Sequence, residues 1–124
     1  MSEKLHLTHH TVSFQHAFAG LFHTFSTQPN LQIHLTLALL VLLAGCFFSI
    51  TTTEWLLLLF TIMWVLTAEM VNTTIEAIVN LITTEYHESA KIAKDVAAGM
   101  VLVGALGSVV VGCVIFIPHI INLF

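Results

Sequence analysis

The run WLLLLFTIMWVLTAEMVNTTIEAIVNLI, residues 55–82, decides the fold. It is long and apolar enough to cross a bilayer, whose hydrocarbon core of ~30 Å needs about 20 helical residues. Yet it carries Glu69 and Glu76. On a helix turning about 100° per residue, Glu69, Asn72, Glu76 and Asn80 fall at about 0°, −60°, −20° and +20°, so all four face one cavity. Counting from Trp55 at ~1.5 Å per residue puts Glu69 about 21 Å deep, past the midplane, with Glu76 and Asn80 around the headgroups on the far side. An ionised side chain at membrane depth is costly and seldom kept without a partner, which makes this face the candidate functional site.

Working outward, hydrophobic residues make up 57% of the 124 residues and charged ones only 8%, with mean hydropathy +0.97. That balance excludes a soluble domain of this size. The expected fold is an all-α integral membrane protein of one domain (1–124), with a surface helix over about 13–26 and spans over about 30–50, 55–82 and 96–118. Phe14, Phe18, Leu21, Phe22 and Phe25 draw one stripe on the first helix, opposite Gln15, His16 and His23, and Ser13 can cap it. Thr27-Gln28-Pro29 breaks that helix and starts the next, since proline suits a first helical turn. His34 then falls near the inner end of the first span.

Residues 1–12 are polar, with a single lysine and no continuous apolar core, so no signal peptide is expected. Lys4, Lys91 and Lys94 are the only lysines and there is no arginine. By the positive-inside rule they put the N-terminus and the polar loop 85–95 in the cytoplasm. No nucleic-acid partner is expected. His9-His10 is too short for a metal tract. Cys46 and Cys113 lie within spans and fit no metal spacing; they read as buried small hydrophobes. Met100, Gly104, Ser108 and Gly112, with Gly99 and Gly107, form a small-residue surface for helix packing or a groove for a lipid tail. Three short helices enclose little interior, so a homo-oligomer is expected.

Two carboxylates on one wall suit either a divalent cation or proton transfer. No phosphate-binding glycine loop is present, so spacing alone does not demonstrate a nucleotide.

The stretch Glu69-x-x-Asn72-Thr-x-Ile-Glu76, followed by Glu85-Tyr86-His87 and Ala93-Lys94-Asp95, resembles the signature of the prokaryotic diacylglycerol kinase and undecaprenol kinase family. The likeness extends through Ser13-Phe14, Ala17, Gly20-Leu21, Asn30, Ile33-His34, Glu54-Trp55 and Ile115-Phe116-Ile117-Pro118, nearly the whole chain. The resemblance implies a homotrimer in the bacterial inner membrane, transferring the γ-phosphoryl of Mg-ATP to a lipid alcohol. It implies Glu69 as general base and Asn72 as the residue orienting the reacting groups. Glu76 would carry Mg²⁺, and Glu85, Tyr86, His87, Lys94 and Asp95 would hold the nucleotide. The Ser13-Phe14 start and the Ile-Phe-Ile-Pro ending look more like the undecaprenol branch than the diacylglycerol one. Many members carry glutamate at Gln28, where it shares the metal, basic residues at Gln15 and Gln32, and aspartate at Asn80. Each change removes a charge. Alternatives are therefore a member that keeps the fold with weak or lost activity, a small proton- or cation-coupled transporter, and a non-catalytic scaffold.

Overall fold

The computed structural model describes residues 14–124. Ser13 as a cap, His9-His10 and Lys4 lie outside them. Four helices follow in order: α1 (Phe14–Thr27), α2 (Pro29–Phe48), α3 (Thr52–Ile82) and α4 (Glu88–Ile121). The last three are long and apolar enough to cross a membrane.

Each boundary has a local cause. Gln28 is extended (φ −109°, ψ 103°) and Pro29 opens α2, as the missing N–H of proline costs nothing there. α2 ends where Ser49 turns left-handed (φ 50°), with Ser49 N–H donating to the Cys46 carbonyl and Ile50 N–H to that of Gly45. These two bonds satisfy carbonyls that the helix end would leave bare. Gly45 is required at this turn, because a Cβ there would lie 2.8 Å from a ring carbon of Trp55 and 3.1 Å from Ile50 Cδ1. Thr51 starts α3 reciprocally: its hydroxyl accepts from Glu54 N–H while its own N–H donates to the Glu54 carboxylate at 2.8 Å.

Length sets the architecture. At ~1.5 Å per residue α2 is about 30 Å long and α3 and α4 about 46 and 51 Å, so the latter two outrun a ~30 Å hydrocarbon core by more than 15 Å. They pack along each other as an antiparallel pair joined by residues 83–87, and α2 leans on α3. The expected polar loop 85–95 is therefore corrected: α4 begins at Glu88, and everything from Glu88 to Asp95 is helical. The first turns of α4 are polar and run alongside the end of α3, so the helix begins before the apolar stretch that sets the expected span.

The end near the α2–α3 turn is apolar and fastened. Ile50, Leu58 and Ile115 are buried there, with Val41, Leu42, Phe48, Trp55, Ile62, Val111 and Phe116 around them. His119 Nε2 from α4 lies 3.2 Å from Glu54 Oε2, and its ring sits 5.9 Å from that of Phe48.

Elsewhere most apolar side chains point outward, as lipid permits. Phe14, Phe18, Leu21, Phe22 and Phe25 are all exposed, whereas Thr24 is buried and donates to the Gly20 carbonyl. Cys46 and Cys113 are exposed too, against the expectation of burial, because a thin bundle has few interior positions and these two side chains lie on outward-facing ones. The small-residue surface also divides. Gly104 alone among its glycines meets a neighbour, with Trp64 Cδ1 3.4 Å from its would-be Cβ, while Gly99, Gly107 and Gly112 have open space.

Candidate functional site

The polar face of α3 forms three stations with decreasing burial. At the innermost, Glu69 is 2% exposed and its Oε1 lies 3.2 Å from His34 Nε2 on α2. The two atoms are close without hydrogen-bond alignment, so Glu69 Oε1 remains unsatisfied, as does the buried Asn72 Oδ1 one turn along. Buried polar atoms normally find partners, and two orphan acceptors side by side point to a group that arrives from outside. His34 lies little more than a turn into α2, so its contact places Glu69 beside the start of that helix.

Glu76 forms the second station. It is half-buried and makes no hydrogen bond or ion pair among the described residues. Seven residues separate it from Glu69, about 10.5 Å along the axis, so the two carboxylates cannot share one ion. Gln28, the other expected metal ligand, donates instead to Thr27 Oγ1 at 3.3 Å, and the Gln32 amide donates to the Phe25 carbonyl at 2.9 Å. No cluster of three or more His, Cys, Asp or Glu side chains is present among the described residues. This donor set does not cage a cation. It does fit Mg²⁺, which keeps waters and commonly takes one or two carboxylates plus substrate phosphates.

The third station is an open cleft of about 330 Å³ where the protruding ends of α3 and α4 meet. Asn80, Thr83, Thr84, Glu85, Tyr86, His87, Lys91, Lys94 and Asp95 line it, which brings together the expected nucleotide residues Glu85, Tyr86, His87, Lys94 and Asp95 but not Glu76, also expected there. Glu69, Asn72 and Glu76 lie outside its walls. Lys94 Nζ donates to Asn80 Oδ1 at 2.7 Å, and Lys91 pairs with Asp95 one turn on, the partnership that an i, i+4 spacing allows. Thr83 Oγ1 accepts from Glu85 N–H at 3.1 Å and shapes the connection. Thr83 and Thr84 line the cleft without any signal in the sequence beyond proximity to the motif.

On the membrane side of Glu69, an apolar groove of about 100 Å³ runs between α2, α3 and α4. His34 forms its polar rim; Leu37, Val41, Leu58 and Ile62 are among its walls, and Ser108 and Gly112 give α4's side. Small residues there leave the space open.

An apolar groove, a buried carboxylate and a polar cleft thus lie along one bundle whose last three helices are long and apolar enough to cross a membrane. The family model for prokaryotic diacylglycerol kinase matches residues 15–116. The chain is 41% identical over 106 residues to the undecaprenol kinase of Bacillus subtilis (strain 168), covering 86% of each protein. It is 38% identical over 113 residues to a diacylglycerol kinase of Synechocystis sp., covering 90% of this chain and 65% of that one. With the diacylglycerol kinase of Escherichia coli (strain K12) it shares 32% identity over 81 residues, 65% of this chain and 66% of that one. The chain belongs to the prokaryotic diacylglycerol kinase family and is a multi-pass membrane lipid kinase.

Proposed function

We propose that this kinase transfers the γ-phosphoryl group of Mg-ATP to a membrane lipid alcohol, with undecaprenol preferred over diacylglycerol. The observation that carries the reading is the pair of buried, unsatisfied oxygens, Glu69 Oε1 and Asn72 Oδ1, on the helix that leads to the Lys94 cleft. The preference for undecaprenol is supported by 86% mutual coverage at 41% identity with a protein named undecaprenol kinase.

Glu69 takes the proton of the lipid hydroxyl as its oxygen attacks the γ-phosphorus, and Asn72 orients the reacting groups. The cleft residues Glu85, Tyr86, His87, Lys94 and Asp95 hold the nucleotide, with Lys94 turning from Asn80 to a phosphate. Glu76 would hold Mg²⁺, with Gln28 as a weaker neutral ligand, and the ion would supply neutralisation of the charge that builds up in phosphoryl transfer. The rest is positioning, worth several orders of magnitude when reacting atoms are held in line. The lipid tail occupies the groove below His34. The N-terminus and residues 83–95 face the cytoplasm, and three copies assemble in the bacterial inner membrane to complete a site that one thin bundle leaves open.

The test is to give purified protein radiolabelled ATP and Mg²⁺ in mixed micelles, with undecaprenol and diacylglycerol offered in parallel. Label should enter both, faster into undecaprenol. Label in neither lipid, from protein that retains its assembly, overturns the proposal in favour of a fold-retaining member without activity.

A further inference from the structure

With Glu69 as the base, one end of the nucleotide is fixed, and the spacing along the helices places the other. The γ-phosphorus must come within about 3–3.5 Å of a hydroxyl oxygen that itself lies within about 3 Å of Glu69. Four single bonds of about 1.5 Å each separate the γ- from the α-phosphorus, about 6 Å at full stretch. Measured from Glu69, the phosphates therefore reach no further than about 12.5 Å. Asn80 lies eleven residues from Glu69, about 16.5 Å along the axis, and Lys94 Nζ donates to its Oδ1, which marks the same level on α4. The phosphate chain thus ends at Lys94, and the ribose falls beside Lys94 and Asp95.

One acid is already set at that level. Asp95 lines the cleft, and Lys91, one turn earlier on α4, donates to its Oδ2. The other oxygen, Oδ1, makes no hydrogen bond among the described residues. The carboxylate of Glu85, also in the cleft, has no such partner among them. With side chains 59% and 61% exposed, the Lys91–Asp95 pair adds little to stability. Its effect is local: one carboxylate oxygen is held, the other is left to accept, and the ammonium offsets a charge that would repel the phosphates. Lys91 itself lies about 4.5 Å further from Glu69 than Lys94 does, out of reach of the phosphate chain.

We infer that Lys91 is a positioning residue for the nucleotide, orienting Asp95 to accept from the ribose hydroxyls and so making the enzyme selective for nucleotides that carry them. The inference rests on the lipid kinase reading above.

The experiment measures lipid phosphorylation by wild type, Lys91→Met and Lys91→Arg with Mg-ATP and with the Mg²⁺ complex of dideoxy-ATP, which lacks both ribose hydroxyls. Wild type should show a KM about tenfold higher for dideoxy-ATP, the low end for a hydrogen bond to a charged acceptor because the cleft is open. In Lys91→Met the KM for ATP should rise about five- to tenfold while that for dideoxy-ATP stays within about twofold, so the preference collapses. With kcat held within about twofold, the loss is one of ground-state binding. Lys91→Arg should keep the preference. Inorganic triphosphate with Mg²⁺ should inhibit wild type and Lys91→Met equally. The inference is overturned if wild type shows no preference, or if Lys91→Met keeps the preference in full. It is overturned equally if KM rises alike for both nucleotides, which marks a structural tie, or if triphosphate inhibits Lys91→Met more weakly, which makes Lys91 a phosphate ligand. If wild type phosphorylates no lipid, the kinase reading has failed, and titrating both nucleotides with Mg²⁺ into the micellar protein decides. Tighter binding of ATP than of dideoxy-ATP in wild type, lost in Lys91→Met, upholds the role of Lys91; any other pattern overturns it.

Discussion

Replacing Glu69 by glutamine separates catalysis from packing more sharply than any other change at this site. The two side chains have nearly the same shape, so the fit against α2 is preserved while the capacity to accept a proton is lost. General-base contributions run to about 10²- to 10⁴-fold, or roughly 2.7–5.5 kcal/mol of barrier. With Asn72 and Lys94 untouched, kcat should fall into that range rather than to zero. KM for ATP should stay within about twofold, because the cleft at Asn80 is eleven residues away, about 16.5 Å along the axis, and the lost interaction belongs to the transition state. Stability should move the other way. Glu69 is 2% exposed with an unsatisfied oxygen, and a buried charge without full hydrogen bonding is costly, so a neutral amide should leave the thermal midpoint equal or higher. Label transfer to undecaprenol and a melting curve in the same detergent test both halves. A kcat within about threefold of wild type would refute the role, given the smallest base contribution above. A loss of rate that merely tracked unfolding would assign Glu69 to a structural network instead.

Lys94→Met should raise KM for ATP about tenfold with kcat less affected, the low end for a charge-assisted hydrogen bond because the cleft is open to water; saturation kinetics in ATP check it. Gln28→Glu should lower the Mg²⁺ needed for half-maximal rate by roughly tenfold, as a carboxylate replaces a carbonyl near a hard cation, and an unchanged metal titration would remove Gln28 from the site. Ser108→Phe should project into the apolar groove and raise KM for the lipid while leaving KM for ATP alone; equal effects on both substrates would mean that the groove is not the tail site.

The all-helical membrane fold and the shared face of Glu69, Asn72, Glu76 and Asn80 were readable because both rest on repeats of helical geometry. Lys91 pairing with Asp95 was readable for the same reason. What lay outside reach was cross-helix. Nothing in residues 30–50 says that His34 meets Glu69, since that depends on how α2 and α3 cross; its signal was only a histidine just inside an apolar span. The reach of α4 back to Glu88 was hidden because a helix can leave the membrane with polar residues and remain helical against a neighbour. Cys46 and Cys113 misled because inside the bilayer and inside the protein are different places. The expected role of Gln28 in the metal site came from resemblance, and its amide is turned to Thr27.

The charges lining the cleft bear on how the proposed nucleotide would be held, since the charges that the family resemblance expects at Gln15, Gln32 and Asn80 are missing. Glu85 and Asp95 cancel Lys91 and Lys94, and Glu76, the station above, adds a further negative charge. Both lysines also have partners already, Asn80 and Asp95. Such a cleft exerts little long-range attraction on a polyanion, and bare ATP would meet Glu76 unfavourably. A divalent cation reverses the balance by giving Glu76 the partner it lacks and by masking charge on the phosphates. Nucleotide affinity should therefore be nearly all metal-linked: titrating a fluorescent ATP analogue into the micellar protein should give no saturable binding in EDTA and clear binding with Mg²⁺. The neutral Asn80 adds a second arm, since Asn80→Asp should hold Lys94 more tightly and weaken metal-dependent binding further. Saturable binding of equal strength in EDTA would show that the cleft attracts phosphate by itself, and Glu76 would lose its assignment as the metal's ligand.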